Sequence, residues 1–262
     1  LKPSCFTIDS TSLLKTFITA YTYWAHRQAG TWNAIDQYFT FSDFSKSIFT
    51  ASKLNIPAHN LTIKPNFVPI PQVSKATFAD YFVYIGRLSV EKGIIPLLEG
   101  ISQTNYTLKI YGTGPQEEEV KEFARSYPTI EYHGFQPKDK LAEVLAEANA
   151  LIVPSVCYEG MPMNIIEAFS LGTPVLCSNI GILAQMVVPL QTGLHFEPAS
   201  RHSITTCLEK WMSLDLQAKE KISTNCIDEY LNKYTAARNM VLVEDVYQHL
   251  IKENEHNNYR PS

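Results

Sequence analysis

The chain has 262 residues, 45% hydrophobic, 18% charged and 11% aromatic, the composition of an ordinary folded protein rather than a disordered, collagenous or membrane-embedded one. Its 22 Lys and Arg against 26 Asp and Glu give a net charge of −4, and no basic run marks a nucleic-acid or polybasic membrane footprint. No stretch reaches the ~18 uninterrupted apolar residues of a membrane-spanning helix. Five cysteines without a C-x-x-C pair indicate neither a disulfide framework nor a zinc site, so a reducing, cytosolic setting fits best.

The opening residue is Leu1 rather than Met, which leads us to expect a fragment or a processed chain. Residues 10–29 read as a helix, 37–41 (QYFTF) as a strand, 43–55 as a helix capped by Ser42 or Asp43, and 61–65 (LTIKP) as a short strand. These elements are too few for a doubly wound domain of their own and look like the tail of a larger one. Pro65, Pro69 and Pro71 then mark an expected interdomain linker.

From Tyr81 the sequence alternates short β-branched runs with longer amphipathic ones, the pattern of βαβ units in a parallel sheet. Strands are predicted at 81–86, 107–111, 129–133, 150–153, 174–177 and 193–196, with helices at 91–102, 115–127, 137–148, 162–171 and 181–188. Pro115, Pro137 and Pro162 are placed in first helical turns, where proline's missing N–H costs nothing, and Gly172 just past a helix end. The remainder reads as helices at 200–213, 215–233 and 235–253, followed by a polar, frayed tail.

In open α/β sheets ligands bind outside the carboxyl ends of the strands, and three such loops carry unusual residues. In GRLSVEKG (86–93), Arg87 follows a strand and Lys92 is predicted in the first turn of the next helix. A cation there opposes the helix dipole unless an external anion such as a diphosphate lies nearby; the plain alternative is two solvated charges. In CYEGMPMNIIE (157–167), Glu159 lies in the loop, and Pro162 opens a helix whose polar residues Asn164, Glu167 and Ser170 form one narrow stripe. The third loop, GTGP (112–115), lacks the third glycine of a dinucleotide fingerprint, since Glu117 stands there, and a nicotinamide reading is rejected.

Taken in order, G-R-L-x-x-E-K-G, G-x-G-P, H-G-F at 133–135 and E-G-x-P-x-x-x-x-E-A-x-x-x-G-x-P-V at 159–175 resemble the C-terminal half of the retaining glycosyltransferases of family 4 (glycosyl transferases group 1), over roughly residues 35–250. K-P-N-F-V at 64–68 resembles that family's crossover between domains, although Pro69 stands where an acidic residue is usual. The resemblance implies an α/β fold of GT-B type: a Rossmann-like parallel-sheet domain with helices on both faces, preceded by an incomplete second α/β domain. Residues 1–66 would be the remnant of the acceptor-side domain, 67–80 the linker, and 81–230 the donor-binding domain. Residues 231–262 would be a C-terminal helix packing back toward the first domain.

By resemblance, Arg87, directly after Gly86, and Lys92 neutralise the donor diphosphate, Gly86 belongs to the donor site, and Glu159 sits beside the transferred sugar. The backbone of Gly160, Met161, Met163 and Asn164 holds sugar and phosphate, Glu167 accepts from the ribose, and Phe135 and Gln136 hold the base. The implied reaction is transfer from a nucleotide-diphosphate-sugar to an acceptor hydroxyl with retention, without metal or other cofactor, in agreement with the lack of a D-x-D motif. The acceptor, a carbohydrate or a lipid-linked one, is not specified. A lipid-linked acceptor would allow loose attachment to the inner membrane face. The family's N-terminal glycine-rich loop and histidine have no counterpart here, and His26 lies in a helix tail. The alternative reading is therefore a non-catalytic or split-enzyme nucleotide-sugar module that works with a separate N-terminal domain. A sugar-nucleotide epimerase is a third reading, disfavoured by the Arg–Lys pair and the two glutamates.

Overall fold

The computed structural model describes residues 13–52, 54, 56–73, 75 and 77–258. They form two compact units, one of the residues up to Asn66 together with those from Ala237 onward, the other of Phe67–Ala236.

The smaller unit contains α1 (Leu13–Gln28), β1 (Tyr38–Thr40), α2 (Asp43–Thr50), β2 (Leu61–Ile63) and nearly all of α10 (Ala236–Asn258). The first three residues of the helix expected at 10–29 lie outside the described residues. β1 and β2 pair in parallel, Phe39 opposite Thr62. Ser42 caps α2, its hydroxyl accepting from the Ser45 N–H, but the helix stops at Thr50 rather than 55. The hydroxyls of Ser47, Thr50 and Ser52 all donate back to backbone carbonyls there, the competition that makes such residues poor helix formers. α10 instead outruns its expected end at 253 and reaches Asn258. No breaker interrupts it, and His249 lies 3.2 Å from Glu253 one turn on. The frayed tail expected from 254 is thus helical through Asn258, and residues 259–262 lie outside the described residues.

The larger unit holds one parallel sheet, of β3 (Tyr81–Ile85), β4 (Thr107–Tyr111), β5 (Ile130–Tyr132), β6 (Ala150–Val153), β7 (Val175–Ser178) and β8 (Gly193–Phe196). Every expected strand is present, within two residues at each end. Their order is β5-β4-β3-β6-β7-β8, the doubly wound arrangement that reverses direction between β3 and β6. Helices cover both faces. α3 (Ile94–Ile101) packs against α4 (Glu117–Ser126) and α8 (Arg201–Met212), and α6 (Met163–Ser170) against α5 (Lys138–Glu147) and α9 (Leu216–Lys233). α7 (Gly181–Met186) packs on β7. Central strands β6 and β7 are buried along their whole length, which is why they read as unbroken apolar runs.

Val68 and Lys75, in the stretch expected as a linker, are fastened to this unit. The Val68 N–H donates to the Tyr234 carbonyl and its carbonyl accepts from the Tyr230 hydroxyl, while Lys75 Nζ donates to the carbonyls of Ala146 and Ala148 at the end of α5. Lys75 is pushed down to about 8 by burial.

The expected helix starts need correction. Pro137 and Pro162 are cap residues rather than first-turn residues, and Pro115 lies two residues ahead of α4. The helix expected from 91 starts at Ile94, after a separate 3₁₀ turn at Val90–Lys92. Lys92 is therefore not in the first turn of an α-helix. The cause is Gly93, whose φ of 68° breaks the run and whose backbone lies so close to Pro154 that a Cβ would fall 2.0 Å from its carbonyl oxygen. This contact locks the loop after β3 onto the end of β6. Gly93→Ala combines a strained left-handed backbone with a backbone clash, and is expected to lower stability in urea unfolding by about 2 kcal/mol or more. An unchanged midpoint would show that the approach is not constrained.

Candidate active site at the switch point

The carboxyl ends of β3 and β6 lie at the reversal of strand order, and Gly86, Arg87, Lys92, Phe135, Gln136, Glu159 and Asn164 line the pockets there. Gly86 and Arg87 leave β3 held from two sides. The Gly86 and Leu88 N–H groups donate to the carbonyls of Tyr111 and Thr113, and the Tyr84 hydroxyl donates to the Arg87 carbonyl at 2.7 Å. Gly112, at φ 135°, passes so close that a Cβ would lie 1.9 Å from the Gly86 carbonyl oxygen. The glycines of GTGP thus serve as a clamp on the 86–88 loop. Arg87 itself is exposed.

From the other side, Glu159 projects from the loop after β6. Lys92 Nζ lies 2.7 Å from its Oε1 and 2.9 Å from its Oε2, and the Ser155 hydroxyl donates to Oε1 at 2.5 Å. The pair is partly sheltered, with the Lys92 side chain 32% and that of Glu159 13% exposed. Such a pair offsets much of its own desolvation cost only because further hydrogen bonds complete it. Two more ties join the loops. The Val156 N–H donates to the Glu91 carbonyl, and Asn164 Nδ2 donates to the Ile85 carbonyl at 2.9 Å. Asn164 Oδ1 is buried without a partner among the described residues. α6 starts here on Pro162, with no side chain capping it, so the N–H groups of its first turn are unspent by a cap.

A cleft of 570 Å³ opens beside this cluster, lined by Gly86, Arg87, Tyr111, Gly112, Phe135 and Gln136, with Phe135 77% exposed. A smaller pocket of 30 Å³ shares Gly86 with it and is lined by Lys92, Ser155, Glu159 and Asn164. Gly160, Met161, Met163 and Glu167 line neither pocket. Gly160 and Met163 are exposed and Met161 is buried. Glu167 lies with Asn164 and Ser170 on the partly exposed stripe of α6, whose apolar residues from Ile165 to Phe169 are buried. Burial holds its carboxyl above the usual carboxylate range, with Lys138 opposing the shift.

Sequence reasoning missed Tyr84 and Ser155. The Tyr84 hydroxyl is pushed above the usual phenol range by burial and by Glu159 and Glu91. Ser155 is 1% exposed, and its only trace in the sequence is a hydroxyl directly after the proline that ends a strand. Among the described residues no three His, Cys, Asp or Glu side chains cluster as metal ligands, and no helix is long and apolar enough to cross a membrane.

The lipopolysaccharide 1,6-galactosyltransferase of Escherichia coli K12 is 25% identical over 206 residues, 74% of this chain and 56% of the relative. The O-antigen chain mannosyltransferase B of E. coli is 28% identical over 228 residues, 74% and 59% respectively. The chain thus spans a little over half the length of these relatives. Among solved structures, a glycosyltransferase from Rickettsia africae superposes with a TM-score of 0.75 at 16% identity, over 87% of this chain and 67% of that one. Anabaena HepE in complex with UDP superposes with 0.69 at 16% identity, over 83% and 64%. These neighbours share the GT-B type of fold. The glycosyl transferases group 1 model matches residues 70–228, more than half of the chain and both site loops, and the chain belongs to that family.

Proposed function

We propose that the switch-point cleft binds a nucleotide-diphosphate-sugar and that the protein transfers its sugar, with retention, to an acceptor hydroxyl. The observation that carries this reading is the convergence of Arg87, Lys92 and Glu159 with the start of α6 beside a cleft large enough for a nucleoside. HepE, a neighbour in fold, has been crystallised with UDP and with UDP-glucose, which supports it.

In this reading the diphosphate lies by Arg87, Lys92 and the first N–H groups of α6, cations and dipole together stabilising the charge that grows as it leaves. The bond from the anomeric carbon to the phosphate oxygen breaks, and a bond to the acceptor oxygen forms on the same face. The acceptor proton passes to the departing diphosphate. Glu159 accepts from hydroxyls of the sugar, and the backbone of Gly160, Met161, Met163 and Asn164 borders it. Glu167 accepts from the ribose, with Phe135 and Gln136 beside the base. Two side-chain cations do the work a divalent ion does elsewhere, so no metal is needed. The smaller unit is a piece of the acceptor side, and transfer requires the rest of that domain. The E. coli relatives' names point to envelope polysaccharides, and we propose an acceptor of that kind, worked on at the inner membrane face.

In the protein assayed with its complete acceptor-side domain, Arg87→Ala, Lys92→Ala and Glu159→Gln are each expected to lower release of nucleoside diphosphate from the sugar donor about 100-fold or more. The wild-type rate is expected to persist in EDTA. Turnover retained by all three variants would contradict the assignment.

Glu167 supplies a pH test. Its folded-state pKa is raised, so above the ordinary carboxylate value of about 4.3 the unfolded chain ionises first, and stability falls as pH rises through that window. Glu167→Gln removes the penalty. Its unfolding temperature is expected above wild type at pH 7 and equal to it at about pH 3.5, while nucleotide affinity falls about tenfold with the lost ribose acceptor. A variant that is no more stable at pH 7, or that binds nucleotide as tightly, would contradict this role.

A further inference from the structure

Lys92 and Ser155 hold the same carboxylate but differ in how firmly they themselves are held. Lys92 reaches Glu159 on a four-carbon stem and is a third exposed. A diphosphate carries more charge than a carboxylate and competes for those ammonium protons. Ser155 donates from a side chain one carbon long, 1% exposed, directly after Pro154, whose carbonyl is pressed against Gly93. Glu159 itself lies between β6 and α6, in a loop whose neighbours Tyr158 and Gly160 are exposed. The donors that reach its carboxylate are the side chains of Lys92 and Ser155.

We propose that Ser155 is a positioning residue. Its buried hydroxyl keeps the Glu159 carboxylate aimed at the donor sugar when Lys92 engages the diphosphate. The inference rests on the reading of the cleft as a nucleotide-sugar site and extends it to a residue whose hydroxyl is given to Glu159. Ser155 acts on the sugar through Glu159, so its loss falls on recognition of the sugar and spares recognition of the nucleotide. A merely structural role would weaken both together.

The test is the ratio of two dissociation constants measured by calorimetry, that of a nucleoside diphosphate over that of its sugar conjugate. The probes are UDP with UDP-glucose, GDP with GDP-mannose and ADP with ADP-glucose. Because both ligands of a pair bind the same fold, partial unfolding of a variant cancels in the ratio. Ser155→Ala is expected to lower the ratio about tenfold with the diphosphate constant unchanged. Ser155→Thr, which keeps the hydroxyl, is expected to restore it to within about twofold, and Glu159→Gln to lower it at least as far as Ser155→Ala. A ratio unchanged in Ser155→Ala but lowered in Glu159→Gln would overturn the positioning role and leave the site assignment standing. A ratio unchanged in Glu159→Gln, or no binding of any of the six probes by the wild type, would overturn the assignment and the positioning role with it.

Discussion

The site depends on one carboxylate shared by two loops. Glu159 comes from the end of β6, Lys92 from the loop after β3, and they meet because those strands are neighbours at the point where the strand order reverses. Ser155 completes the arrangement from the β6 side. Everything else in the cluster keeps this meeting in register. Gly93 permits the backbone approach to Pro154, Val156 bonds across to Glu91, and Asn164 ties the start of α6 to the last residue of β3. The doubly wound topology supplies the crevice, and these ties join the two loops that flank it.

The same economy explains why the glycines cluster where they do. Gly112 sits against Gly86, and its loop receives the N–H of Leu88 while Tyr84 holds the Arg87 carbonyl from beneath. Arg87 is therefore mounted on a backbone fixed by neighbouring strands, while its guanidinium remains exposed at the cleft. A cation based at the cleft can stabilise charge that develops near it, which is the physical reason for the proposed role of Arg87 at a leaving diphosphate.

Much of this was legible in the sequence. The six strands of the larger unit stood out as β-branched runs because the sheet is parallel and its central strands are buried on both faces. The polar stripe of α6 was legible too, since its apolar residues from Ile165 to Phe169 are buried. Lys92 was misplaced because periodicity continues from the 3₁₀ turn into α3, and the break at Gly93 is imposed by Pro154, some sixty residues away in the chain. Ser155 was invisible for the same reason: a serine after proline is ordinary until burial and a carboxylate 2.5 Å away give it a task. Helix ends shifted where hydroxyl residues bonded back to the chain, as at Thr50, or where no breaker stopped the helix, as beyond 253 in α10.

The central claim is that a nucleoside diphosphate binds across the ends of β3 and β6. Backbone amide NMR of the isotope-labelled chain titrated with UDP, GDP and ADP locates the binding site residue by residue. One of the three is expected to shift amides of residues 86–93, 134–136 and 159–164, with the first turn of α6 moving most and the faces of the sheet unaffected. Shifts confined to other surfaces, or none with any of the three, would contradict it.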